Sequence, residues 1–81
     1  MSDTSIVPDE IVDNLTAEHC TLARATARLT MKELAQAAGV HANTVNNFEN
    51  GQGCRRRTRA KIAEGIVRAA GLDCLSRIMG A

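Results

Sequence analysis

Three asparagines, Asn43, Asn46 and Asn47, lie close together in the middle of the chain. In a helix, Asn43 and Asn47 share one face with Asn46 beside them, and Val45 and Phe48 point the other way, toward a core. An Asn amide donates and accepts hydrogen bonds at once, which matches the N7 and N6 edge of adenine in DNA. The bland interpretation is a solvated polar face, and these residues taken alone favour it. Asn is a poor helix former, however, so three in one short helix indicate a requirement other than stability.

Basic residues follow this segment directly. Half of the ten Lys and Arg residues lie between positions 55 and 61. They are Arg55, Arg56, Arg57, Arg59 and Lys61. Such side chains neutralise phosphates, orient a protein on nucleic acid and make its affinity salt-dependent without reading sequence. The alternative is a solubilising loop, but the position next to the asparagines favours phosphate binding.

The net charge of +1 conceals a polarised chain. Residues 1–18 carry five acids and no base, whereas residues 19–81 carry the other four acids and all ten bases, which gives −5 and +6. This asymmetry predicts an anionic partner for the later part of the chain. Residues 1–15 are predicted to be an acidic N-terminal arm, partly disordered or in a short helix, with residues 1–7 frayed. The arm is interpreted as a disordered solubilising tail; the alternatives are that its acids keep stray phosphates away or that it contacts a partner.

The composition predicts an all-α fold. A chain of 81 residues allows one domain with a thin margin of stability, for which dimerisation is a common remedy. Its apolar residues are mostly small, with one Phe and neither Trp nor Tyr, whereas strands favour aromatic and β-branched residues. The domain is predicted to span residues 16–81.

Other classes of protein find little support. No stretch reaches the length of a membrane span, and no signal peptide is visible. The odd number of cysteines argues against a disulfide framework and for the cytoplasm. The His and Cys residues lack paired zinc-ligand spacing, and no nucleophile–base pair or phosphate-binding Gly loop is visible, so no metal, no cofactor and no enzymatic activity are expected. Cys20 and Cys74 are interpreted as small core residues, and Cys54 either as a redox-sensitive thiol or, more simply, as an incidental exposed cysteine.

Local signals define the expected elements. Thr16 resembles an N-cap, and the next helix should present Leu22, Ala25 and Leu29 at helical spacing. Residues 30–33 form a capping box, and Gly39 ends the helix that follows it. Thr58 is predicted to cap a later helix, with Ile62, Ile66 and Ala69 or Ala70 as its apolar stripe and Gly65 at a close packing contact. The predicted helices are residues 8–15, 17–28, 31–38, 42–49, 59–70 and 73–79.

Residues 29–51, LTMKELAQAAGVHANTVNNFENG, resemble the helix-turn-helix of Cro-repressor-like (XRE) transcription regulators. The similarity includes the Leu-Ala pair of the first helix, the Gly-Val turn, Thr44-Val45 and the closing Glu49-Asn50-Gly51. With the flanking helices it extends over residues 16–79. The resemblance implies a compact bundle of about five helices and sequence-specific binding to double-stranded DNA, usually as a dimer.

The resemblance also implies a role for individual residues. The groove-facing positions of the recognition helix are Ala42, Asn43, Asn46 and Asn47. The positions that match backbone contacts are Met31, Thr44, Asn50 and Arg57, to which the charge pattern adds Arg55 and Arg56. Two departures leave the target sequence open. His41 stands where Ser or Thr usually caps this helix, and the helix lacks Lys and Arg, the commonest guanine readers.

The hypothesis with most support is a transcription regulator, a repressor or autoregulator, that binds an inverted repeat as a homodimer. Small proteins of this fold often pair through an apolar face at the chain end, which here holds Leu75, Ile78 and Met79, although plain core is the usual role of such a stripe. Control would come through concentration or a regulatory protein partner. The alternatives are an antitoxin-like or adaptor module that binds protein, and a redox or metal sensor that depends on Cys54.

Overall fold

Six α-helices follow one another in the computed structural model, which describes residues 7–80. They are α1 (Asp9–Asn14), α2 (Ala17–Ala27), α3 (Met31–Ala38), α4 (Ala42–Glu49), α5 (Arg56–Ala70) and α6 (Leu72–Gly80). No strand occurs among these residues, as the composition predicts. None of the six helices has the length and apolar character that a membrane span requires.

Side-chain caps begin two of the helices. Glu33 N donates to Thr30 Oγ1 at 3.1 Å, and Thr30 N donates to Glu33 Oε1 at 2.9 Å, which confirms the predicted capping box of α3. Thr16 caps α2 in the same reciprocal way with His19, at 3.2 Å in both directions. Gly39 ends α3 in the left-handed region at φ 75°, which a glycine adopts without steric cost. Local sequence therefore determines where α2 begins and where α3 begins and ends.

Helix α5 is at the centre of the core: α3 and α2 pack against it, as do α6 and α1, and α4 packs against α3 and α2. Helices α3 and α5 approach most closely at Gly65, where an added Cβ would lie 2.8 Å from Ala38 Cβ. Arg68 on α5 also donates to the carbonyl oxygen of Ala37 at the end of α3, at 3.3 Å. The approach of Gly65 to Ala38 confirms the close packing predicted at Gly65. The buried apolar residues are Val7, Val12, Leu15, Cys20, Ala23, Leu34, Ala35, Ala38, Val45, Phe48, Ile62, Ala63, Ile66 and Leu75.

The buried face of α2 differs from the predicted apolar stripe. Leu22 is 48% exposed and Ala25 also faces solvent, whereas Cys20 and Ala23 are completely buried. Cys20 is buried as expected, while Cys74 on α6 is only half-buried. The face of α2 that carries Cys20 and Ala23 packs against α5 and α6, so the tertiary partners of the helix decide which residues face inward.

Helix α1 is part of the core. Its Val12 and the following Leu15 are 2% and 3% exposed, and Val7, expected in a frayed end, is also buried. Burial of these three side chains anchors a helix of only six residues, which would not be stable alone. The expectation of fraying for residues 1–6 lies outside the described residues.

Helix α5 begins earlier than predicted. Arg56 is its first residue and Arg55 occupies the N-cap position, so Thr58 lies inside the first turn and the prediction of a Thr58 cap is wrong. Arg55 makes no side-chain capping hydrogen bond. Cys54, just before the helix, packs against the core and holds this turn, and Arg56 pairs with acids of α1 on the surface.

Candidate nucleic-acid interface

Helix α4 is fixed by one face and open on the other. Val45 is fully buried and Phe48 is 6% exposed, so both side chains lock the helix onto the core. Asn50, just after the helix, donates from Nδ2 to Oδ1 of Asn46 at 3.3 Å. Four residues on the remaining surface of the helix are exposed or half-buried: Ala42, Asn43, Asn46 and Asn47. The positions predicted to contact bases therefore all reach solvent.

The N-terminus of α4 has no side-chain cap. His41 occupies the N-cap position with extended backbone, and its side chain makes no capping hydrogen bond. The first backbone N–H groups of a helix have no partner within the helix, and they lie at the positive end of its dipole. The departure of His41 from the usual capping residue thus leaves this end of α4 available to an anion or an acceptor.

The other end of α4 is fastened to α2 by an ion pair. Arg24 Nε lies 2.8 Å from Glu49 Oε2, and Arg24 Nη2 lies 3.0 Å from Glu49 Oε1. Thr21 Oγ1 donates to the same carboxylate at 3.2 Å, and the Cys20 thiol contacts it at 3.6 Å. Arg24 also donates from Nη1 to the carbonyl oxygen of Leu29 at 3.1 Å. A bidentate pair of this kind fixes direction as well as distance.

This network is largely shielded from water. The Glu49 side chain is 5% exposed and that of Arg24 is 22% exposed. The hydrogen bonds that Arg24 donates to Glu49 raise the pKa of Arg24 above its usual value. Burial, followed by the charge of the Glu49 carboxylate, raises the pKa of Cys20 to about 12, so its thiol stays protonated and donates to the carboxylate. The network therefore holds the orientation of α4 relative to α2.

Helix α5 presents an unusual first turn. Arg56 and Arg57 are its first two residues, Arg55 precedes them, and the turn contains no acid. Positive side chains near the positive end of a helix dipole destabilise the helix. An anion at this end would relieve that repulsion and accept hydrogen bonds from the free backbone N–H groups. The start of α5 thus concentrates positive charge beside backbone N–H groups that have no partner within the helix.

The five basic residues predicted as phosphate contacts differ in their environments. Arg55, Arg57 and Lys61 are exposed, and Arg59 is half-buried with its Nε shielded and without a hydrogen-bond partner. Arg56 is exposed but paired, since Nε lies 2.6 Å from Asp13 Oδ1 and Nη2 lies 3.2 Å from Asp9 Oδ1. The structure thus distinguishes Arg56, which is paired with acids of α1, from the other basic residues, a difference that the sequence alone did not predict.

A shallow depression joins α4 to the start of α5. It has a volume of about 410 Å³ and brings Thr44 and Asn47 onto the same surface as Arg55. A candidate base-contacting residue and two candidate phosphate-contacting residues therefore share one concave surface. Its lining comprises Thr44, Asn47, Phe48, Gln52, Gly53, Cys54, Arg55 and Thr58. Cys54, interpreted either as a redox-sensitive thiol or as an incidental exposed cysteine, lies half-buried on this surface.

The other predicted site residues fall in different places. Met31 is half-buried at the start of α3, and Asn50 is exposed just after α4. Among the predicted dimer contacts, Leu75 is fully buried in the core, whereas Ile78 and Met79 are half-buried. Met79 lines a groove of about 580 Å³ between α1, the start of α2 and the end of α6.

The described part of the chain contains no group of His, Cys, Asp or Glu side chains that could hold a metal ion. Its three cysteines are all free.

The Arg24–Glu49 pair and the Arg56–Asp13 pair were not predicted. Their partners lie 25 and 43 residues apart, and no local pattern joins them. One signal for Glu49 was present in the sequence. It is an acid in the last turn of a helix, where the dipole disfavours negative charge, which indicates that a basic partner comes from elsewhere.

Comparison with known proteins identifies this arrangement. A family model for the helix-turn-helix domain matches residues 22–74, more than half of the chain. No curated protein and no solved structure gives a significant match. The matched segment runs from Leu22 on α2 to Cys74 on α6, so it includes α4, the depression and the arginine-rich start of α5. The chain belongs to the XRE/Cro-like helix-turn-helix family, whose domains bind DNA and are not enzymes.

Proposed function

We propose that this protein is a transcription regulator, a repressor or autoregulator, that binds an inverted-repeat operator as a homodimer in the cytoplasm. One observation carries the proposal. Asn43 and Asn47 reach the surface of a helix whose opposite face, Val45 and Phe48, is fixed in the core. A rigidly held helix with polar side chains and an uncapped N-terminus suits insertion into the major groove of DNA.

Base recognition is assigned to the first two turns of α4. Asn43 and Asn47 would pair with the N7 and N6 edge of adenine, with Asn46 as a further contact. Ala42 would pack on a thymine methyl group. Each half-site is therefore expected to contain A·T pairs, and A·T changes at those positions are expected to weaken binding.

Phosphate contacts would hold the helix in register on the duplex. The start of α5 supports this role, because its exposed arginines stand at the positive end of an uncapped helix. Thr44 lies in the adjoining depression, and Asn50 follows α4. The full set proposed is Met31, Thr44, Asn50, Arg55, Arg56 and Arg57.

The dimer is assigned to α6. Ile78 and Met79 would contact the second copy, while Leu75, fully buried, would support that surface from inside. Two recognition helices in such a dimer would reach half-sites about 34 Å apart, one helical turn of DNA. Sedimentation of the wild type and of Ile78→Asp tests this assignment, with a dimer expected for the wild type and a monomer for the variant. Equal masses for the two proteins would contradict it.

The test of DNA recognition uses the purified protein, DNA from its own upstream region and unrelated DNA, each at two salt concentrations. Asn43→Ala is expected to lose the preference for the upstream DNA. Arg57→Ala is expected to weaken binding to both DNAs and to reduce the salt slope by about 1. Asn14→Ala, the same kind of change on an exposed asparagine of α1, serves as the matched control.

The outcomes separate two classes of function. The regulator hypothesis is supported if the wild type prefers the upstream DNA, Asn43→Ala loses this preference and Asn14→Ala keeps it. Little affinity for any DNA at low salt would contradict it and favour an antitoxin-like or adaptor module that binds another protein.

A further inference from the structure

The basic side chain at the first position of α5 is already engaged by acids from α1. Arg56 Nε lies 2.6 Å from Asp13 Oδ1, and Arg56 Nη2 lies 3.2 Å from Asp9 Oδ1. Asp9 and Asp13 are four residues apart, so they share one face of α1 and grip the guanidinium together. No other arginine that the sequence predicts as a phosphate contact has an acidic partner within the described residues.

The two carboxylates cannot move far from this position. Val12 lies between them in sequence and is 2% exposed, and Leu15, just after the helix, is 3% exposed. Moving α1 away would expose both apolar side chains to water, which is unfavourable. The negative charge of α1 is therefore a fixed part of the surface beside the start of α5.

The ion pair itself is easy to exchange. The side chains of Arg56, Asp9 and Asp13 are 51%, 77% and 56% exposed, and ion pairs this open to solvent contribute little to stability. A phosphate that binds Arg56 therefore competes with these carboxylates for the guanidinium, and it lies close to two like charges that remain in place. Helix α1 also lies outside residues 22–74, so the family match does not account for it.

We propose that α1 is a built-in competitor of DNA: Asp9 and Asp13 occupy Arg56 and lower the affinity of the domain for the phosphate backbone. The proposal rests on DNA binding as proposed above. It assigns the acidic N-terminal arm a restraining role, which keeps non-specific binding weak while base recognition by α4 is unaffected.

The test compares Asp13→Asn with Glu10→Gln in binding to the upstream and the unrelated DNA across a salt series. Both variants remove one negative charge from α1, but Glu10 borders the groove of α6 and does not contact Arg56. Asp13→Asn is expected to bind both DNAs about three- to tenfold more tightly and to raise the magnitude of the salt slope by up to about 0.9, the value for one added phosphate contact. Glu10→Gln is expected to show the smaller gain that net charge alone produces.

A second pair of variants shows whether the effect passes through Arg56. When Arg56 is replaced by Ala, adding Asp13→Asn is expected to increase the affinity for DNA by no more than Glu10→Gln does. Circular dichroism confirms that each variant is folded, as expected for changes at exposed positions.

Two kinds of result would overturn the inference. If the wild type binds DNA and Asp13→Asn matches Glu10→Gln or binds more weakly, α1 does not compete, and DNA binding still stands. If neither the wild type nor Asp13→Asn binds DNA at low salt, DNA binding fails and the inference fails with it.

Discussion

The guanidinium of Arg24 holds the carboxylate of Glu49 from two directions, with Nε 2.8 Å from Oε2 and Nη2 3.0 Å from Oε1. The contact joins the last turn of α2 to the last residue of α4. Glu49 is almost completely buried, so the contribution we propose for this pair to DNA binding is to hold the orientation of α4.

Replacing Arg24 alone should lower the free energy of unfolding far more than replacing Arg24 and Glu49 together. Arg24→Met leaves a carboxylate that is 5% exposed without its cation, and we expect the free energy of unfolding to fall by about 2–4 kcal/mol. The double variant Arg24→Met with Glu49→Met removes the buried charge and should recover much of this loss. Urea denaturation at neutral pH measures both values.

The matched control is the wider pair between Arg68 and Glu64, which are 4.0 Å apart. Glu64→Gln should change the free energy of unfolding by less than about 0.5 kcal/mol. Equal losses in Arg24→Met and in the double variant would contradict the assignment of the cost to an unpaired Glu49.

The buried Cys20 should make stability depend on alkaline pH. Burial raises the pKa of Cys20 to about 12, while a thiol in the unfolded chain ionises near about 8.5. The folded state keeps a proton that the unfolded state releases. The stabilisation is therefore complete below the unfolded pKa and is lost as pH rises toward the folded one, by up to about 1.4 kcal/mol per pH unit.

Urea denaturation of the wild type and Cys20→Ala between neutral pH and pH values near the folded pKa checks this dependence. The difference between the two proteins isolates Cys20, because both contain the same lysines and the sequence has no Tyr. Parallel curves for the two proteins would show that Cys20 makes no contribution.

Gly65 should not tolerate even one added methyl group. Its Cβ would lie 2.8 Å from Ala38 Cβ and 2.9 Å from Ala38 Cα, so α3 and α5 would have to separate. We expect Gly65→Ala to lower the free energy of unfolding by about 1–3 kcal/mol, although Ala is the better helix former. Gly80→Ala in α6, where an added Cβ meets nothing within 4 Å, should be neutral or slightly stabilising in thermal denaturation.

A bulky group on Cys54 should block DNA binding. Cys54 lines the depression that Thr44, Asn47 and Arg55 share, whereas Cys20 is fully buried. Treatment of a Cys74→Ser variant with N-ethylmaleimide is expected to weaken DNA binding by about tenfold or more. The double variant Cys54→Ser with Cys74→Ser should bind DNA equally well before and after treatment. If the protein alkylated at Cys54 still bound DNA, the DNA would have to lie elsewhere.

Helix boundaries were predictable where neighbouring residues determine them. Thr30 and Glu33 cap α3 reciprocally, Gly39 ends it, and the alternation of Val45 and Phe48 with polar residues defines the inner face of α4. The polar residues of α4 could be assigned to its surface for the same reason. The periodicity of a helix is a local property, so no tertiary information was needed.

Features that depend on distant partners were not predictable. Leu22 matched the apolar spacing of α2 but is 48% exposed, because the face that packs against α5 and α6 is the one that carries Cys20 and Ala23. Thr58 had the right residue type for an N-cap, yet the helix begins earlier, just after Cys54 packs against the core. The pairing of Arg24 with Glu49 likewise depends on a fold that neither residue specifies alone.

The contact at Gly65 has a consequence for distances along the surface. Helices α3 and α5 meet there backbone to side chain, and Arg68 donates a hydrogen bond near the end of α3, so the two helices are held close together. Met31 and Arg57, near their respective starts, are both proposed phosphate contacts. Under that proposal, the methyl group that α5 lacks would determine which pair of phosphates the two helices reach at once.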